Sequence, residues 1–150
     1  MKRATMLVVA LALVAVAASL VWAADKKCDP GKDCSCVGVA NCDFVCTGKG
    51  CEVSCKGAGN CSLKCDAGGC KASLMGSGNG KVDCKAGQCA VKAMGAGNTT
   101  VSCPGGGCSL SCMGAGDCTL KDCPKIEDPE KDKDKECKLS CVGTGDCNKE

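Results

Sequence analysis

A cysteine-punctuated unit of 19 residues repeats along this chain, and a chain so built buries its apolar face by stacking each unit on the next. From Cys51 the unit has two halves. Cys51-Glu-Val-Ser-Cys55 leads into the turn Lys-Gly-Ala-Gly-Asn, and Cys61-Ser-Leu-Lys-Cys65 into Asp-Ala-Gly-Gly. Units open again at Cys70, Cys89 and Cys108, an imperfect one opens at Lys32, and a half-unit opens at Cys137. That half-unit is displaced by ten residues because the charged segment 124–136 is inserted, which also moves a cysteine to position 123, where the register places Asp122. The inserted run reads as a solvated loop.

The pieces between turns alternate with a period of two, the signature of short half-buried strands. Their central inward positions are Phe44, Val53, Leu63, Ala72, Val82, Val91, Val101, Leu110, Leu120 and Leu139. Ser, Lys, Glu, Thr and Asp stand on the other face. In the Gly-x-Gly-Asn turns glycine supplies positive φ and Asn or Asp tolerates it. Two short strands per unit predict an all-β fold, a disulfide-stapled β-solenoid in which each unit is one coil. The alternative is an antiparallel meander of hairpins, whose loops have similar lengths.

Such a fold cannot rest on an ordinary core here. Beyond a leading apolar run the chain has one Phe, no Tyr and no His. It has 20 cysteines instead, a count far above that of ordinary domains. The repeats themselves suggest the pairing. The two units with Leu74 and Ala93 in place of one cysteine also have Gly80 and Thr99 in place of the next, so both members of a bridge are missing together. Pairing across the Gly-x-Gly turn follows: Cys36 with Cys42, Cys55 with Cys61, Cys112 with Cys118, Cys141 with Cys147. Across the other turn it gives Cys46 with Cys51, Cys65 with Cys70, Cys84 with Cys89, Cys103 with Cys108 and, over the insertion, Cys123 with Cys137. Cys28 with Cys34 remains. A rival scheme joining the outer ends of a unit, Cys51 with Cys65, leaves Cys46 and Cys137 without repeat partners.

Lys2 and Arg3 followed by an uncharged apolar run to Trp22, with Val21 and Ala23 at a small-residue cleavage site, read as an export signal, residues 1–23. An uncleaved signal would be a membrane anchor. Residues 24–31 lead into the repeat domain, 32–150. An even cysteine count behind such a signal implies an oxidising compartment: secreted, periplasmic or cell-surface. Without Lys2 and Arg3 the 19 basic residues fall to 17, balancing 17 acidic ones, so nothing steers the chain to nucleic acid.

With no His to serve as base or ligand, and no Ser, Asp and Lys constellation, an enzyme is not expected, nor any cofactor. Thiolate metal sequestration is the chemical rival, but C-x2-C knuckles are absent and Cys34-Ser35-Cys36 is the only C-x-C. Residues 113–121, Met-Gly-Ala-Gly-Asp-Cys-Thr-Leu-Lys, resemble the calcium-binding nonapeptide of the β-roll family. The family's Asp position holds Cys118, so the resemblance implies a coil geometry and no calcium ligand. Gly95-Ala-Gly-Asn-Thr-Thr-Val101 and Gly76-Ser-Gly-Asn-Gly-Lys-Val82 are similar to the secreted bacterial repeats of the domain of unknown function 3060 family. That resemblance implies exported β-repeats and no chemistry. The leading expectation is a structural or interaction scaffold of the cell envelope or exterior. A glycan-, ice- or protein-binding module comes second and metal sequestration third, with an envelope protein or glycan as candidate partner.

Overall fold

The structure is a computed structural model that describes residues 25–150, so the expected signal lies outside the described residues. Thirteen strands follow one another: β1 (Lys26–Cys28), β2 (Asp33–Gly38), β3 (Cys42–Cys46), β4 (Glu52–Gly57), β5 (Cys61–Lys64), β6 (Lys71–Gly76), β7 (Gly80–Asp83), β8 (Ala90–Gly95), β9 (Thr99–Ser102), β10 (Ser109–Gly114), β11 (Cys118–Lys121), β12 (Lys138–Gly143) and β13 (Cys147–Lys149). Odd strands form a seven-stranded sheet and even strands a six-stranded one, each in sequence order. Every pairing is parallel, which excludes the hairpin meander and makes the fold a β-solenoid. The register repeats the sequence period: Val53 lies opposite Ala72, Ala72 opposite Val91, and Val91 opposite Leu110.

The two sheets face each other across a core to which both contribute inward side chains. Phe44, Val53, Leu63, Val82, Val91, Val101, Leu110 and Leu120 are all buried, and Leu139, on an end strand with a neighbour on one side only, is half-buried. More than half of the buried apolar side chains are cysteines. The missing hydrophobic volume is thus filled by sulfur at the sheet edges, as a chain poor in aromatics requires.

The turns hold a feature that the sequence reading explained differently. The first glycine of each Gly-x-Gly-Asn turn takes positive φ, as at Gly95 (140°), but none of the turn asparagines does. They form a ladder instead. Asn41 Oδ1 accepts the Asn60 N–H (3.0 Å), Asn60 that of Asn79 (2.9 Å), Asn79 that of Asn98 (3.0 Å), Asn98 that of Asp117 (2.9 Å), and Asp117 that of Asp146 (2.9 Å). Each side chain satisfies a backbone donor of the next coil and so ties successive turns together at the exposed edge.

The insertion is more than a free loop. Its end forms a short 3-10 turn (Lys133–Lys135), and the Lys135 carbonyl accepts the Gly107 N–H at 2.8 Å. That bond continues the series from Gly69 N–H to the Gly87 carbonyl and from Gln88 N–H to the Gly106 carbonyl. Lys135 therefore stands where the next coil's turn belongs. Asp122, the extra residue beside the shifted cysteine, takes a left-handed conformation (φ 60°) and accepts the Ser102 hydroxyl at 2.6 Å.

Candidate functional site: the sulfur edges and an outer hollow

Strand ends place the cysteines at the two edges where the chain turns from sheet to sheet. On the Gly-x-Gly edge Cys36 is bridged to Cys42, Cys55 to Cys61, Cys112 to Cys118 and Cys141 to Cys147. On the opposite edge Cys28 is bridged to Cys34, Cys65 to Cys70, Cys84 to Cys89, Cys103 to Cys108 and Cys123 to Cys137. Their Cα atoms lie 6.0–6.6 Å apart, within the span a disulfide bridges.

Cys46 and Cys51 depart from the expected pairing, for both are buried free thiols. Their Sγ atoms and that of Cys28 lie within 4.8 Å of one another, Cys51 Sγ donates to the Cys28 carbonyl at 3.1 Å, and Cys46 Sγ sits 3.4 Å from Cys70 Sγ. Burial foremost, then the hydrogen bond and charge of the Cys51 thiol, pushes Cys46 from 9.0 up to about 12. At neutral pH it is a thiol, not the thiolate that attacks oxidants or binds metals. With eighteen cysteines bridged and Cys28 among them, metal sequestration is left with this single pair.

Oxidation of the protein is expected to close that pair, since its neighbours on the same edge are bridged at equivalent positions. Intact mass would then fall by 20 hydrogens from the reduced chain, against 18 for nine bridges. While the pair is open, the folded chain holds the Cys46 proton more tightly than the unfolded chain does, so stability falls as pH rises from 9.0 toward about 12. Denaturation midpoints should show this alkaline slope in the dithiol form and lose it in Cys46→Ala.

The two coils without a Gly-x-Gly bridge replace sulfur by packing. Leu74 and Ala93 are buried, and Thr99 is buried opposite them. A Cβ on Gly80 would come within 2.3 Å of Leu74 Cδ1, so Gly80 leaves the space that Leu74 fills. A large residue beside none, and a small one beside threonine, keep the volume of a bridge. The paired absence in the sequence marked the site without revealing this exchange.

Outward, the six-stranded sheet carries a hollow of about 580 Å³ over β2, β4, β6 and β8. Ser35, Ser54, Ser73 and Lys92 run through it in register, one per coil. Glu52 and Lys71 pair across it at 2.7 Å. No large aromatic side chain lines it. Sequence periodicity places these residues on the outward face without marking a hollow there. No family model, no curated protein and no solved structure matches the chain.

Proposed function

We propose that the chain is an exported, non-catalytic structural scaffold, a rigid disulfide-stapled rod displayed in the periplasm, on the cell surface or outside the cell. The observation that carries this reading is the set of nine bridges closing successive turns of one continuous solenoid. Bridges at this density belong to an oxidising compartment. Catalysis finds no His and no perturbed nucleophile poised at an open cleft, the buried Cys46 thiol being shifted away from reactivity. The β-roll and domain-3060 resemblances fit the same reading at the level of coil geometry. Calcium has no oxygen ligand at Cys118, whose sulfur is bridged to Cys112.

Fractionation of the host with the native leader in place tests the assignment. The protein is expected outside the cytoplasm, with a mature N-terminus just after Ala23. A cytoplasmic chain with all its thiols reduced would overturn it.

A further inference from the structure

We propose that the hollow on the six-stranded sheet is a binding site for an acidic polysaccharide, with Ser54 and Ser73 as its hydroxyl floor and Lys56 and Lys92 holding the polymer's anionic groups. Ser54 pairs in register with Ser73, and Ser73 with Lys92, so hydroxyl, hydroxyl and ammonium follow one another along the rod axis. The spacing is that of parallel strands, about 4.8 Å, and is commensurate with one sugar ring per coil. Lys56 stands two residues beyond Ser54 on the same outward face. A periodic floor of this kind suits a periodic ligand.

Charge selects the polymer. Three lysines and two acids line the hollow, and Lys71 is already neutralised by Glu52 at 2.7 Å. Lys56 and Lys92 make no ion pair among the described residues, which leaves two ammonium groups free, one beside Ser54 and one at the end of the serine row. Asp33, the remaining acid, lies at the far end on the edge strand β2. Ala90, exposed next to Lys71, keeps that part of the hollow open. The volume of about 580 Å³ lies within the range of ordinary ligand sites.

Competing ligands fit less well. A membrane surface would need a cluster of large apolar side chains as anchor, and the hollow's lining exposes one, Val37 beside Lys56. Nucleic acid would need a basic stripe and stacking side chains, whereas the chain carries a formal charge of only +2 and one Phe, which is buried. Carboxylated sugars offer hydroxyls for Ser54 and Ser73 together with anions for Lys56 and Lys92. With no aromatic platform, affinity comes from repeated weak contacts and grows with chain length.

The proposal rests on the scaffold reading only in needing this face free outside the cytoplasm, and its test uses purified, oxidised, full-length mature protein. Calorimetric titration with a polyuronate oligosaccharide is expected to show binding that weakens with added salt and strengthens with oligomer length, while an uncharged glycan of equal length gives none. The Lys56→Ala, Lys92→Ala double variant should weaken binding at least tenfold with an unchanged far-UV spectrum. Removing the same charge from the insertion, with Lys125→Ala and Lys131→Ala, should leave it unchanged. No binding of the polyuronate, equal binding of the neutral glycan, an equal loss from the insertion variant, or binding confined to vesicles of anionic lipid would each overturn the site. None of these results bears on the bridges or on export, so the scaffold reading stands or falls separately.

Discussion

The Gly97→Ala variant is expected to lose the stacked rod, whereas Ala40→Gly keeps it, although the two residues hold the same place in their turns. A Cβ on Gly97 would stand 1.9 Å from the Gly78 carbonyl oxygen and 2.5 Å from its carbon. Those are backbone atoms of the coil beneath, with no flexible side chain to swing aside. Relief requires the coils to part, and the parallel pairing of β8 with β6 and the Asn98 to Asn79 rung part with them. Overpacking typically costs about 1–3 kcal/mol, and more where, as here, only backbone can give way. Ala40 occupies the corresponding position in the first coil, where β2 is the edge strand and the residue is exposed. Removing that methyl costs about 0.5–1 kcal/mol of chain entropy. Denaturant midpoints of the oxidised proteins measure both, and an unchanged midpoint in Gly97→Ala would mean that the coils are not stacked in this register.

Complete reduction and alkylation should unfold the protein. Each short loop closed by a bridge contributes about 2 kcal/mol in the chain-entropy model. The nine together, discounted for non-additivity, match the 5–15 kcal/mol (roughly) that holds a whole domain. The apolar core cannot make up the loss, because beyond one central side chain in each half-coil the buried interior is mostly sulfur. The middle of the rod, where Leu74 with Gly80 and Ala93 with Thr99 stand in for bridges, is expected to be the last part to exchange its amide hydrogens. The far-UV spectrum should lose its strand signal once the reduced thiols are capped.

The stacking of coils, their parallel register and the inward face from Phe44 to Leu120 were legible in the sequence. A 19-residue period with alternating polarity admits few arrangements that bury like on like. Four features were not legible, each for a physical reason. The asparagine rungs depend on the coil pitch bringing a side-chain oxygen within 3.0 Å of a backbone nitrogen 19 residues on, and turn propensity predicts Asn without reference to that neighbour. The docking of Lys135 on Gly107 depends on a charged insertion folding back into register, which composition does not encode. The free thiols of Cys46 and Cys51 are a matter of oxidation state, and spacing alone treats them like Cys65 and Cys70. The hollow was equally hidden, since serine and lysine on an outward face read as hydrated surface until the strands set them one above another.

Disulfide mapping of the oxidised protein tests the central claim most directly. The account predicts peptides cross-linked only across turns, as Cys55 with Cys61, Cys84 with Cys89 and Cys123 with Cys137, with Cys46 joined to Cys51. Links between the outer ends of a unit, such as Cys51 with Cys65, or a population of free thiols released on chelation of a bound metal, would contradict it.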